Sequence, residues 1–170
     1  MNTKPSKWLK YCLNNFVKHK KTALDLACGK GRNSLLLANY GFNVSSVDIN
    51  KEHLKCFSSN KIKKIEKDVE KTANWPLSNN GFDIIVVTNF LNRSIFPLII
   101  SSINPRGFLI YETFSIGQEK IGKPSNKNYL LQENELTYLC NGLSLIKYEK
   151  VWAHTPENQY FKQRIICKNV

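Results

Sequence analysis

The chain is poor in several things, and each shortage narrows what it can be. No apolar run approaches the roughly 18 residues that a membrane-spanning helix needs. The opening MNTKPSKWLKYCL has no apolar core of the kind a secretory signal carries, so a cytoplasmic setting is expected. The five cysteines (Cys12, Cys28, Cys56, Cys140, Cys167) are an odd set without a C-x-x-C pair. Neither a disulfide framework nor a zinc site is expected from them, and no metal is assigned. No G-x-x-x-x-G-K-[ST] occurs, which excludes a P-loop. Arginine is scarce: Arg32, Arg93, Arg106 and Arg164 are all there is among 25 basic residues, against a formal net charge of +12. A surface built to read phosphates would favour arginine, so the excess of lysine reads first as a solvated surface, and nucleic acid is a possible but unfavoured partner. Aspartate is scarcer still, at Asp25, Asp48, Asp68 and Asp83.

What is present is organised around Thr22 to Asn50, TALDLACGKGRNSLLLANYGFNVSSVDIN. An apolar run at Ala23–Ala27 leads into Cys28-Gly29-Lys30-Gly31. A helix-like segment from Ser34 to Tyr40, a turn at Gly41 and a β-type run from Phe42 to Val47 follow, closed by Asp48. This is the first βαβ unit of a nucleotide-binding sheet. Its glycines let the backbone approach a ligand. The acid closing the second strand suits the two hydroxyls of a ribose. Dinucleotide folds seat a pyrophosphate on the helix N-terminus, but here a carboxylate, Asp25, stands beside the turn and disfavours a phosphate. S-adenosylmethionine, a sulfonium with an amino group and no phosphate, is favoured over a nicotinamide dinucleotide.

At these residues the chain resembles a family. Asp25-Leu-Ala-Cys-Gly29-Lys-Gly31 is similar to the D/E-x-G-x-G-x-G motif of class I S-adenosylmethionine-dependent methyltransferases, with Ala27 in place of the first glycine. The longer run CGKGRNSLLLANYGFNVSSVDIN resembles the TehB tellurite-resistance methyltransferases. The resemblance implies a Rossmann-like α/β fold: a seven-stranded, mostly parallel sheet with helices on both faces and an antiparallel C-terminal hairpin strand, in one domain over residues 1–170. It also implies an adenine contact for the acid after the third strand, Asp68, with Val69 beside it. The competing reading of Asp68 is a solvated acid in a lysine-rich stretch.

Along the rest of the chain, a helix is expected over Lys7 to Lys18, because Leu9, Cys12, Leu13, Phe16 and Val17 form one apolar stripe. Trp8 reads as packing or as part of a cover over the cleft. Further helices are expected over Lys51–Ser59, Ile95–Ile103 and Gln132–Cys140. Strands are expected over Lys61–Glu66, Phe82–Val87, Phe108–Thr113, Leu143–Ala153 and Gln159–Cys167. Turns fall at Trp75–Gly81 and at Asn104-Pro105-Arg106-Gly107. The aperiodic stretch Phe114–Tyr129 reads as a lid or substrate loop, since connections of that length are usually functional or disordered. His154, in the hairpin connection, reads as a base or as a solvated turn residue.

Ligands of open α/β sheets bind outside the C-terminal strand ends, where Asp25, Asp48 and Asp68 all fall. The residues assigned to the cofactor are Asp25, Ala27, Cys28, Gly29, Gly31, Arg32, Asn33, Asp48, Ile49, Asp68, Val69 and Thr88. Those assigned to the acceptor are Asn89, Arg93, Tyr111 and Glu112, with Arg164 beside them; Arg93 reads equally as a surface cation at a helix start. The fourth strand does not end in N-P-P-Y or D-P-P-Y, which weighs against methylation of a base nitrogen. A small-molecule acceptor is expected, a chalcogen oxyanion or a thiol. The alternatives are an RNA methyltransferase working through its basic surface and a non-catalytic S-adenosylmethionine binder. Nothing in the sequence specifies the oligomeric state.

Overall fold

The computed structural model describes residues 4–18, 21–71, 75, 81–155 and 158–170. Seven strands form one sheet in the order β3-β2-β1-β4-β5-β7-β6. They are β1 (Thr22–Leu26), β2 (Asn43–Asp48), β3 (Ile62–Glu66), β4 (Phe82–Thr88), β5 (Ile103–Phe114), β6 (Ser144–Thr155) and β7 (Asn158–Lys168). The first five are parallel; β7 runs antiparallel to β5, and β6 antiparallel to β7. The expected Rossmann-like sheet with its antiparallel hairpin is the observed one.

Strand alternation decides which layer each side chain joins. Ala23, Ile84, Val86, Phe108, Ile110 and Ile166 pack with Trp8, Leu9, Cys12 and Leu13 of helix α1 (Lys7–Asn15) and with Leu37 and Ala38 of α2 (Arg32–Asn39). Leu24, Leu26, Ile85, Val87, Leu109, Tyr111 and Ile165 pack with Phe96 and Ile99 of α4 (Phe96–Ser101) and Leu136 of α5 (Glu135–Leu139). A small third cluster joins Leu54 of α3 (Lys51–Lys55) to Cys28 and Phe57. Both faces of the sheet are therefore covered, as the continuous apolar run of β4 requires. No helix among the described residues is long and apolar enough to cross a membrane.

The helices are shorter than their sequence patterns. Ser6 caps the start of α1, its Oγ accepting the Leu9 N–H at 3.2 Å, but the helix ends at Asn15, whose amide turns back to donate to the Tyr11 carbonyl at 2.7 Å. α3 stops at Lys55 because the Ser58-Ser59-Asn60 stretch competes for the backbone; Ser59 Oγ accepts the Lys61 N–H. The helix expected over Ile95–Ile103 divides into a 3-10 turn at Arg93–Ile95 and α4, and Ile103 already pairs with Phe82 in the sheet. The turn at 104–107 survives as an excursion within β5, with Arg106 at φ 63° and its N–H donating to the Asn169 carbonyl at 2.7 Å. The turn expected at Trp75–Gly81 lies largely outside the described residues, as does the side chain of His154.

Asp83 ties the N-terminal edge of the sheet, accepting from the Lys21 and Thr22 N–H groups at 2.8 and 3.0 Å. Burial raises its carboxyl, but those two donors, with the Asn104 and Thr22 side chains, outweigh it and hold the group below the usual carboxylate range. The other three aspartates lie at the opposite edge, where the parallel strands end.

Candidate active site

β1 ends in a turn with three left-handed residues: Ala27 (φ 53°), Gly29 (φ 55°) and Gly31 (φ 74°). Ala27 thus adopts a conformation that glycine takes without steric cost and alanine does not. The two glycines do different work. A Cβ on Gly29 would meet nothing within 4 Å, so its backbone borders open space. A Cβ on Gly31 would stand 2.3 Å from the Phe57 ring, so packing inside the protein by itself requires a glycine there.

Asp48 closes β2 and braces the same turn. Its Oδ2 accepts the Gly29 N–H at 2.7 Å and its Oδ1 the Asn50 N–H at 2.8 Å, with His53 Nδ1 3.7 Å from Oδ1. Each oxygen keeps a second lone pair. Ile49, next along, is 65% exposed, a large apolar side chain left without cover on the rim. Asp68 follows β3, its Oδ1 accepting the Glu70 N–H and its Oδ2 3.7 Å from Lys71, while Val69 is buried.

Beneath the turn, Asp25 is 1% exposed. Its Oδ2 accepts from the Ser34 hydroxyl at 2.6 Å, and Ser34 Oγ in turn accepts from Ser46 Oγ at 2.7 Å. Its Oδ1 is buried with no hydrogen-bond partner. Burial pushes the carboxyl up to about 7, against the pull of the Ser34 hydroxyl and of Arg32. Burial likewise pushes the Cys28 thiol up, so it is no nucleophile.

The first turn of α2 links this region to β4 and α1. Asn33, 2% exposed, donates from Nδ2 to Thr88 Oγ1 at 2.9 Å and accepts the Ser6 N–H on Oδ1 at 3.0 Å. Arg32 donates to the Lys4 carbonyl at 2.8 Å and to Thr88 Oγ1 at 3.4 Å. The N-terminal end of α1 therefore does close over the strand ends.

Two cavities flank Asn89, which sits at φ 57° just after β4 and lines both. One, about 210 Å³, is bounded by Phe90, Leu91, Thr113, Phe114, Pro124 and Tyr129. The other, about 240 Å³, is bounded by Pro5, Ser6, Lys7, Arg32, Glu112, Lys162 and Arg164. A larger hollow of about 590 Å³ lies at the opposite edge of the sheet, among Thr22, Asn43, Lys61 and Phe82, away from the glycine turn.

A profile of the family described as tellurite resistance protein TehB matches residues 13–164. The chain belongs to the TehB family. Among curated relatives, the protein of Haemophilus influenzae (strain 10810) named "Probable S-adenosyl-L-methionine-dependent methyltransferase TehB" is 29% identical over 138 residues, 75% of this chain and 47% of that protein. The chain thus spans about half the length of the curated relatives it matches. The crystal structure of TehB from Haemophilus influenzae superposes with a TM-score of 0.76 at 23% identity, covering 95% of this chain and 61% of that one. The N-methyltransferase NodS of Bradyrhizobium japonicum WM9, solved with S-adenosyl-L-homocysteine, has a TM-score of 0.74 at 14% identity, covering 96% and 84%.

Of the residues assigned to the acceptor, the structure brings Asn89, Glu112 and Arg164 together and places two elsewhere. Tyr111 alternates to the opposite face of β5, fully buried against Phe96, its hydroxyl donating to the Phe90 carbonyl at 2.8 Å. Arg93 donates to the Asn128 and Leu130 carbonyls at 2.7 and 2.9 Å and pairs with Glu135, whose carboxylate raises the guanidinium's pKa. It fastens the segment after β5: Ser115 bridges Leu131, and Gln118 is buried, accepting the Phe161 N–H. Arg164 lies 4.7 Å from the Trp8 ring centroid and its Nε donates to Glu149 at 2.6 Å.

Two residues of the site were missed. Ser6 joins it through its N–H and through Oγ, 3.4 Å from Glu112 Oε1. Lys162 is the other. Its side chain, 12% exposed, donates to Asn89 Oδ1 at 2.7 Å and to Glu112 Oε1 at 3.3 Å, under the rings of Phe114 and Tyr160. In a lysine-rich chain one lysine carries no signal of its own. The usable hint was alternation, which sets Tyr160, Lys162 and Arg164 on one face of a strand whose start meets the end of β5.

Proposed function

We propose that this chain transfers a methyl group from S-adenosylmethionine to a compact anionic acceptor, a chalcogen oxyanion or thiolate. The observation that carries this reading is the buried, unpartnered Oδ1 of Asp25 beside an open glycine turn. In the ionised carboxyl this oxygen only accepts, so it calls for a cation or an N–H group, and it repels a phosphate. The other donors and surfaces agree. Gly29 leaves room for a ligand, Asp48 has lone pairs free for ribose hydroxyls, and Ile49 offers an uncovered apolar face for a base. Asp68 and Val69 border the same rim.

Bound there, S-adenosylmethionine supplies an electrophilic methyl on a sulfonium, whose loss leaves a neutral thioether that needs no proton. The protein's own task is alignment, which is worth on the order of 7–11 kcal/mol. Asp25 and the glycine turn hold the charged end; Asp48 fixes the sugar. Residues 4–6, tied down by Arg32 and Asn33, keep water from the strand ends. On the acceptor side, Lys7, Arg32, Lys162 and Arg164 face a cavity with Glu112 as its carboxylate. That balance favours an anion, and a volume of about 240 Å³ favours a small one. An oxyanion or thiolate brings its own lone pair, so no general base is needed. The relatives' name, a tellurite resistance protein, supports the chalcogen class.

Calorimetry with S-adenosylhomocysteine tests the cofactor half of the proposal, and mass spectrometry of selenite, tellurite and small thiols incubated with labelled S-adenosylmethionine tests the acceptor half. Binding without any labelled product would leave a non-catalytic binder. Label appearing in RNA, lost on adding salt, would move the acceptor to nucleic acid.

A further inference from the structure

Asn89 separates the two cavities at the end of β4 and holds its backbone in a left-handed conformation (φ 57°), its N–H donating to the Glu112 carbonyl at 2.8 Å. An asparagine so placed has two ends of opposite character, a carbonyl that accepts and an NH₂ that donates. Which end faces an acceptor decides whether an anion is welcomed or repelled. On this wall the choice is made by Lys162. An ammonium has donors only, so the atom 2.7 Å from Nζ must be Oδ1, and Nδ2 is the end left over.

We propose that Lys162 is a positioning residue that locks the Asn89 amide with its NH₂ available to the acceptor. The proposal rests on the methyl-transfer reading above. Lys162 is itself over-determined, as a positioning residue must be. Glu112 Oε1 stands 3.3 Å from Nζ, the rings of Phe114 and Tyr160 lie 4.7 and 5.2 Å away, and only 12% of the side chain is exposed. Burial outweighs the opposing pull of Glu112 and lowers its pKa, with Arg32 and Arg164 adding to the drop. Glu112 also faces Ser6 Oγ, so the lysine is anchored on a group that α1 helps to hold. Solvation does not account for this lysine: it has left water to reach two oxygens at a cavity wall.

The test compares the wild type with Lys162→Met, Lys162→Arg, Asn89→Ala and the double variant Lys162→Met/Asn89→Ala. Selenite is the probe acceptor and S-adenosylhomocysteine calorimetry the cofactor control. The expected result is a roughly 10- to 100-fold fall in kcat/KM for Lys162→Met. Asn89→Ala should fall comparably, and the double variant no further than Asn89→Ala alone. Lys162→Arg, which keeps the donor, should recover most of the loss. Losses that multiply in the double variant would overturn the proposal, because a merely structural lysine would act independently of Asn89. In parallel, the Asn89 side-chain amide pair is followed by ¹⁵N NMR. It should broaden in Lys162→Met as both orientations are sampled and stay sharp in Lys162→Arg; a sharp pair in both overturns the proposal. Should Lys162→Met fail to fold around an unpaired Glu112, Lys162→Met/Glu112→Gln takes its place. If the wild type binds S-adenosylhomocysteine yet turns over no selenite, the acceptor reading has failed and the amide resonances alone decide the inference.

Discussion

Ser34 Oγ donates to Asp25 Oδ2 at 2.6 Å, and the second oxygen of that carboxylate is buried with nothing to accept from. The asymmetry has a consequence in pH. Burial raises the carboxyl from 3.8 to about 7, so below pH 4 folded and unfolded chains are both neutral and this group costs nothing. As pH rises from 4 to 7 the unfolded chain ionises first, and stability from this group is lost, in total by roughly 4 kcal/mol. Asp25→Asn removes the titration. Urea unfolding at pH 5 and pH 8 should show the variant gaining on the wild type as pH rises; a difference independent of pH would contradict the assignment. A cation bound at Oδ1 favours the ionised form, so S-adenosylmethionine should bind wild type more tightly from pH 5 to pH 7, and Asp25→Asn should lose that slope.

The two glycines of the turn should separate stability from binding. Gly31→Ala drives a methyl into Phe57 at a left-handed position, and a loss of about 2–4 kcal/mol is expected from strain and overpacking together. Phe57→Ala should relieve part of it. Gly29→Ala has room for its methyl, so its stability should fall by only about 1–2 kcal/mol, while calorimetry with S-adenosylhomocysteine should show the greater loss of affinity.

Arg93 is expected to matter for folding and not for the cofactor. Its guanidinium holds two carbonyls and the Glu135 carboxylate, which the arginine lowers below its ordinary range. Arg93→Met should destabilise by about 1–3 kcal/mol and speed amide exchange over residues 116–131, with the affinity for S-adenosylhomocysteine unchanged. The Glu135 contribution is present above its unfolded value of 4.5 and is lost as pH falls through the lower folded value, so wild type and variant should converge in acid.

Asn33→Ala unties α1 from the strand ends. The Ser6 N–H, among mostly buried atoms, loses its acceptor, and about 1–2 kcal/mol of stability should go with it. Hydrogen exchange at Ser6 to Leu9 reports the change directly; unaltered protection there would show that α1 is held by Trp8 and Leu9 alone.

The sheet was legible because its central strands are buried on both faces and read as apolar runs. Phe82–Val87 and Ala23–Ala27 are of that kind. Helix lengths were not legible, because Asn15 and Ser59 act through side-chain hydrogen bonds that an apolar stripe does not register. The turn that joins Asp25, Gly29 and Asp48 was readable from their spacing. The cavity wall beside Asn89 was not. Glu112 and Lys162 lie 50 residues apart, joined only by the pairing of β5 with β7, and Tyr111 was displaced from the cavity by the same period of two that brought Glu112 in.

The reversed direction of the final strand separates two parts of the chain. The glycine turn and the strand ends between Thr22 and Thr88 are laid down before the hairpin begins. The hairpin in turn contributes Lys162 and Arg164 near its bend and anchors itself far off, through Asn169 on the backbone at Ile103 and Gly107. Exchanges at Lys162 and Arg164 can therefore alter that cavity wall while the glycine turn and the distant anchor keep their own hydrogen bonds.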